Sequence, residues 1–294
     1  MGETGIGVPD RLRMPGRVLA ALVCPHCGGG LGGDARGGLV CPAGHSFDVA
    51  REGYAGLLTG RRPPTGGDTA AMVADRRAFQ DAGHYAPLAR RLAALATAHG
   101  LGDGLAADVG AGTGYYLAAV LDAAPGAAGI ALDVSKYALR RAAKAHPRAG
   151  AAACDAWQGL PLRTGSVSVL LNVFAPRDGA GFRRVLRDDG ALLVVVPTAR
   201  HLDGLVGPLG LVAVDARKEE RLERTLGDHF TTVHTEELDV PLLLPHADAA
   251  TAAGMGPSAR HIAAGDLAAR VAALPDPVPA TASFRLSVHR PRAA

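Results

Sequence analysis

Four side chains near the amino terminus have the spacing of a metal site. Cys24 and Cys27 form C-x2-C, and after a thirteen-residue spacer Cys41 and His45 form C-x3-H. Each pair fits one tight turn, the segment between can fold as a β-hairpin, and three thiols with one imidazole suit tetrahedral zinc. The spacer carries seven glycines, Gly28, Gly29, Gly30, Gly32, Gly33, Gly37 and Gly38. That leaves too little apolar surface to fold by packing alone, so metal binding would supply much of the folding free energy. With four protein ligands and no open position, the expected role is structural. His26, inside the first knuckle, is the alternative fourth donor, in a more awkward place. Cys154 lies far along the chain and reads as a buried strand residue.

A second constellation begins at DVGAGTG, residues 108–114, where a short apolar run feeds a glycine turn. Such a turn at a helix N-terminus lets the backbone approach a ligand and presents free N–H groups. Gly110, Gly112 and Gly114 are spaced G-x-G-x-G, whereas a dinucleotide fingerprint places its third glycine one residue later. Asp108 closes the first strand, Asp133 closes the next in GIALDVS, and Asp155 closes the third in ACDAW. A carboxylate at Asp133 can take both ribose hydroxyls of an adenosine, and Asp155 stands near where an adenine edge would lie. This series of acids around a glycine loop resembles class I S-adenosylmethionine-dependent methyltransferases; an NAD-type domain and an ordinary α/β domain are the competing readings. Farther on, NVFAP, residues 172–176, ends the fourth strand and should face the same ligand. The Asn172 amide can orient a nucleobase edge; Phe174 reads either as a ring for stacking or, preferentially, as core.

The elements that must position these residues follow from the hydrophobic pattern. TAAMVADRRAFQDAG and YAPLARRLAALATAHG read as two helices with a break near Gly83. Apolar runs separated by helical stretches, with little strict alternation, indicate a parallel sheet covered on both faces. HFTTVHTEELDVPLLL and ATASFRLSVHRP read as two final strands with a helical insertion between them. The expected architecture is α/β: a doubly wound, mostly parallel, seven-stranded Rossmann-like sheet of the class I methyltransferase type, with a small N-terminal zinc-binding module. Residues 1–16 are expected to be a disordered leader, 17–62 the zinc module and 63–294 the catalytic domain, with RRPPTGGD (residues 61–68) as linker.

The chain has 294 residues, 48% hydrophobic but only 4% aromatic, so Ala, Val and Leu must build the core. No run approaches the ~18–20 apolar residues of a membrane span, and the N-terminus lacks a signal-peptide layout, which points to a soluble, cytoplasmic protein. In that setting closely spaced cysteines bind metal more readily than they form disulfides. A net charge of +3 from 31 basic and 28 acidic residues announces no overall nucleic-acid field. Lys136, Arg140, Lys144 and Arg148 recur every four positions without an intervening acid, one face of a helix. Solvated face and phosphate grip are the two readings of that row.

The order of motifs narrows the reading further. CPAGHSFDVAREGYAGLL, GHYAPL, DVGAGTG, LDVSK, NVFAP and MGPSARH together resemble the bacterial 23S rRNA guanine-N1 methyltransferases, the RlmA family, from about Leu22 to the C-terminus. The resemblance implies zinc on Cys24, Cys27, Cys41 and His45. It implies S-adenosyl-L-methionine contacts from the turn holding His84 and Tyr85, from Asp108, Gly110, Gly112, Gly114, Asp133 and Asp155, and from the segment holding Asn172 and Phe174. A 23S rRNA hairpin held between zinc module and catalytic domain, and a homodimer, are further implications. MGPS and the Arg- and Ala-rich composition are closer to the Gram-positive branch, which includes tylosin- and mycinamicin-resistance enzymes and methylates guanine 748; the other branch takes neighbouring guanine 745. Ala259 and Arg260 stand where the family pattern has an aromatic, which unsettles the base-contact assignment. Methyl transfer is an in-line displacement favoured by positioning and a dry pocket, and the target base must leave its stack. The proton on guanine N1 needs an acceptor, for which Asp155, His84 and solvent are all open. The competing functions are a small-molecule methyltransferase of antibiotic biosynthesis and a non-catalytic zinc-containing RNA-binding protein.

Overall fold

In a computed structural model of the chain, the described residues are 9–60, 66–212, 225–262 and 264–292. The chain opens with a short helix, α1 (Gly16–Ala21), and three two-residue strands, β1 (Gly32–Gly33), β2 (Leu39–Val40) and β3 (Ser46–Phe47), paired antiparallel in that order. The hairpin expected between the knuckles is β1–β2. Its turn is closed by Asp34, whose Oδ1 accepts the N–H groups of Arg36 and Gly38 at 2.8 and 2.7 Å.

A short strand β4 (Ala55–Gly56) precedes helices α2 (Ala70–Asp81) and α3 (Ala86–Ala98). Strand and helix then alternate through β5 (Leu105–Val109), α4 (Tyr115–Ala123), β6 (Ala128–Asp133), α5 (Lys136–Ala142), β7 (Ala149–Ala153), β8 (Val167–Val173), α6 (Gly179–Val185), β9 (Leu186–Pro197) and α7 (Asp203–Leu209). Two long strands, β10 (Phe230–Leu244) and β11 (Val278–Pro291), enclose helices α8 (His246–Gly254) and α9 (Ala264–Ala272). The large sheet has the order β10-β11-β9-β8-β5-β6-β7-β4, with β11 antiparallel to both neighbours and the rest parallel.

Both faces of this sheet are buried, which is why its strands read as continuous apolar runs. Ala106 of β5 and Ala131 of β6 face one core, with Leu88 and Leu92 of α3 and Leu117 and Leu121 of α4. Ala107, Val109, Ile130 and Leu132 face the other, with Leu19 of α1 and Phe182 of α6. Side chains alternate across a strand, so neighbouring residues serve opposite cores. Thr69 and Ser135 cap α2 and α5, their hydroxyls accepting from Met72 N–H and Ala138 N–H. Among the described residues, no helix is long and apolar enough to cross a membrane.

Three expectations change. The leader expected over residues 1–16 lies outside the described residues only for 1–8; from Leu12 the chain is packed, with Leu12 and Met14 buried and Arg13 N–H donating to Gly53 O at 2.9 Å. Two apolar residues in a polar stretch are enough once a sheet face receives them. Seven strands follow the expected arrangement, and β4 adds an eighth on the edge of β7, drawn from the segment assigned to the zinc module. An unpaired parallel edge favours such a cover, yet two residues leave no periodicity to read. The linker's first half, residues 61–65, lies outside the described residues, and the cores do not divide there: Cys24, Leu39, Cys41 and Phe47 share one cluster with Leu160, Leu162 and Phe182.

The basic row is also dismantled. Helix α5 stops at Ala142, so Lys144 and Arg148 leave its face. The Arg148 guanidinium instead donates to the carbonyls of Leu121, Ala124 and Ala127 at the end of α4. They lie where α4 ends and the chain turns into β6, so the guanidinium braces that turn.

Candidate functional site

The amino-terminal cluster has the geometry its spacing promised. The ligand atoms of Cys24, Cys27, Cys41 and His45 all lie within 4.8 Å of one another. Cys27 Sγ is 3.6 Å from Cys41 Sγ, and His45 Nδ1 is 3.5 and 3.4 Å from the sulfurs of Cys24 and Cys41. Tetrahedral zinc with ordinary Zn–S and Zn–N bonds requires edges of about 3.8 and about 3.5 Å, so the donors fit the ion. Backbone bonds set each knuckle: Gly28 N–H to Cys24 O at 2.8 Å, and Gly44 N–H to Cys41 O at 2.9 Å. Burial raises the Cys41 thiol, but the His45 backbone N–H, the Cys27 and His45 side chains and the Ala43 N–H outweigh it and bring the group down to about 6. His45, and not His26, joins the three thiols; the His26 ring packs beside those of His45 and Phe47 at 5.0 and 5.9 Å.

The second site forms at the carboxyl ends of β5, β6, β7 and β8, where doubly wound sheets bind ligands. Gly110, Gly112 and Gly114 have φ of 77°, 55° and 80°. A Cβ on Gly110 would stand 2.4 Å from Ala175 Cβ, so the loop presses against the chain leaving β8 and only glycine fits. Asp133 Oδ2 accepts Gly112 N–H and its Oδ1 accepts Ser135 N–H, both at 2.8 Å. This carboxylate therefore ties the glycine loop to the start of α5. Burial nevertheless holds its pKa above the usual range.

Asp108 is 1% exposed, and neither of its carboxyl oxygens has a partner among the described residues. Burial, with a smaller push from the Asp133 charge, raises it to about 8. Asn172 is fully buried, its Nδ2 donating to Pro176 O at 2.9 Å and Val109 O at 3.4 Å, while its Oδ1 is unpartnered. Its amide thus pins the β8 exit to β5 rather than reaching out. Asp155 spends both oxygens on a short 3-10 helix (Ala156–Gln158), accepting Trp157 N–H at 3.1 Å and Gln158 Nε2 at 2.9 Å.

Phe174 departs from the core reading: it is 43% exposed and held at φ 56°, a left-handed backbone rare for an aromatic residue. Its ring meets those of Tyr85, Tyr116, His201 and Phe284 at centroid distances of 5.7 to 6.5 Å. Tyr85 is buried in this group, and burial drives its hydroxyl pKa upward. The Tyr85 hydroxyl bonds His201 Nε2 at 3.1 Å, and His201 Nδ1 lies 3.1 Å from Ser283 O. A carbonyl can only accept, so Nδ1 carries the proton and Nε2 accepts from Tyr85. Burial pushes the His201 pKa down to about 4, against the Ser283 bond. His84 is placed differently: it rests on Phe79 and bonds Asp248 of α8 through Nε2 at 2.8 Å.

Sequence reasoning missed Arg76, His201, Tyr116 and Phe284. Arg76 on α2 pairs with Asp68, donates to Met255 O at 2.8 Å, and stands 3.4 Å from where a Gly112 Cβ would be. No local motif marks it; only the fold carries α2 over the loop. His201, just past the end of β9, had a usable signal: a polar residue following a strand at its carboxyl end.

Strand order, glycine loop and acids at successive strand ends define a class I methyltransferase, here fitted with a zinc ribbon. The family model for the RlmA N-terminal zinc ribbon matches residues 22–61. A protein assigned as a 23S rRNA (guanine-N(1)-)-methyltransferase in Micromonospora griseorubida is 53% identical over 291 residues, covering 93% of this chain and 98% of the relative. The 23S rRNA (guanine(748)-N(1))-methyltransferase of Streptomyces fradiae is 48% identical over 277 residues, with the same coverage of 93% and 98%. The chain belongs to the family of bacterial 23S rRNA guanine-N1 methyltransferases.

Proposed function

We propose that this chain transfers a methyl group from S-adenosyl-L-methionine to N1 of guanine 748 in a 23S rRNA hairpin, and so contributes to resistance to tylosin- and mycinamicin-type macrolides. The near full-length similarity to a relative named for guanine 748 carries this reading. The donor supplies an electrophilic methyl on a sulfonium. The residues present suit it: Asp108, the Asn172 Oδ1 and the Tyr116 hydroxyl are buried polar groups without partners around the glycine loop. An unpaired carboxyl raised to about 8 gains most from a cationic ligand.

In this reading the loop of Gly110, Gly112 and Gly114 offers its backbone to the donor, with Asp108, Asp133 and Asp155 at successive strand ends. His84, Tyr85 and Asn172 shape the surrounding wall through bonds within the protein, and Phe174 offers its half-exposed ring at the rim. Asp155 accepts one bond on each oxygen and His84 bonds Asp248 through Nε2, so Asp155, His84 and solvent stay open as acceptors for the guanine N1 proton. The zinc ribbon holds the RNA against the catalytic sheet. The protein acts in the cytoplasm, where its substrate lies, and as a homodimer; sedimentation equilibrium tests the latter.

Primer extension on 23S rRNA from cells with and without the gene tests the central claim. A gene-dependent stop at guanine 748 supports it, and one at guanine 745 moves the chain to the neighbouring specificity. Absence of any new stop, with methylation of a free macrolide precursor instead, would establish the small-molecule reading.

A further inference from the structure

Beside the glycine loop, the edge of the large sheet carries a feature the transfer reaction does not use. Trp157 is the only tryptophan in the chain, and it is 69% exposed. Burying an indole is among the larger gains open to a folding chain, so an exposed one needs a reason. This ring is not on a loose loop. Asp155 holds the Trp157 backbone N–H and the Gln158 amide, and Gln158 Oε1 in turn accepts from Thr59 Oγ1 at 2.9 Å. Thr59 belongs to the segment leaving β4, so the short helix is fastened both to the end of β7 and to the chain emerging from the zinc ribbon.

The same edge gathers further groups. Leu58, next to Thr59, is 37% exposed. On the approach to β4, Glu52 pairs with Arg140 of α5 at 3.4 Å. On α5 itself, Lys136 Nζ and Arg140 Cζ lie 5.2 and 5.7 Å from the centre of the Tyr137 ring. Strand β4 thus links a fixed, exposed indole at one end to a cationic helix at the other. Trp157 and the half-exposed Leu58 fall short of the broad apolar patch of a protein interface. An exposed ring and a cationic helix joined by one strand are what grips unpaired nucleotides, a base on the ring and phosphates of the same strand on the cations.

We propose that Trp157 stacks on an unpaired base of the RNA substrate while Lys136 and Arg140 of α5 receive neighbouring phosphates. This rests on the rRNA reading and assigns that substrate a second hold, on the turn that Asp155 caps. Because Trp157 is the sole tryptophan, the protein's indole fluorescence reports this position alone. The full-length chain is titrated with an RNA oligonucleotide of the 748 hairpin, without and then with S-adenosylhomocysteine. The hairpin should quench the emission whether or not S-adenosylhomocysteine is bound. By filter binding, Trp157→Ala should weaken hairpin affinity about five- to a hundredfold, the range for loss of one stacked base, whereas Trp157→Phe keeps most of it. Calorimetry should show that both variants still bind S-adenosylhomocysteine, and so are folded. Hairpin binding without quenching overturns the stacking while leaving the rRNA reading intact. A wild-type chain that neither binds nor methylates the hairpin overturns the rRNA reading and this inference with it.

Discussion

In the zinc ribbon, four side chains converge within 4.8 Å and the backbone serves to aim them. In the glycine-loop site the backbone itself is presented, and the side chains that matter are acids withheld from water. The electrostatics run in opposite directions. Cys41 is brought down to about 6, toward the thiolate a metal needs, while burial raises Asp108 to about 8. The ribbon gathers four donors suited to one ion, whereas the glycine-loop site keeps a buried carboxyl that has no partner among the described residues. Both depend on one fold, because Cys24 and Cys41 share a core with the strands that carry the glycine loop.

The comparison can be broken most severely at the ribbon. Cys41→Ser should release zinc, measured by atomic absorption, and cost about 4 kcal/mol or more in denaturant unfolding, since metal binding is folding free energy there. Because the cores are shared, the main unfolding transition itself should move; an unshifted catalytic transition would show two independent regions. Next comes Gly110→Ala, which strains a φ of 77° and drives a Cβ toward Ala175. Expected are a stability loss of about 2–3 kcal/mol and a clear fall in S-adenosylmethionine affinity by calorimetry, with zinc content unchanged.

Asp108→Asn separates burial from charge. The folded pKa of Asp108 lies above its unfolded value, so its stability contribution is complete below about pH 4 and is lost as pH rises through about 8. The variant should therefore flatten that decline in urea midpoints measured from pH 5 to 8.5, and at pH 8 unfold no more easily than wild type. Donor binding should weaken at the same time, and a donor affinity equal to wild type would sink the role given to this acid. The smallest effect is expected from Tyr85→Phe, which leaves His201 Nε2 without its partner and should cost about 1–2 kcal/mol. Zinc retention should not change.

Legibility follows the same division. The ribbon's ligands were readable because their spacing is local: C-x2-C and C-x3-H fix two turns, and only the choice between His26 and His45 needed coordinates. Asp108, Asp133 and Asp155 were readable as strand ends, because apolar runs mark the strands. What each acid does was not. Asp133 closes on the loop, Asp155 caps a turn, and Asp108 is unpartnered, distinctions set by neighbours distant in the chain. Phe174 was misread as core because one aromatic among apolar residues carries no sign of its backbone angle. The basic row failed because a four-residue period continues past a helix end on paper and not in space.

By itself the sequence determined the three metal-binding thiols, the alternation of strand and helix, and the family motifs, all of which rest on local spacing and hydrophobic period. Tertiary structure alone decided that β4 closes the sheet edge and that the ribbon shares the catalytic core. It also decided that Arg76 and His201 reach the site, and that the single tryptophan stands exposed on a braced turn. Each of these depends on contacts between segments far apart in the chain, whose energies no local pattern encodes.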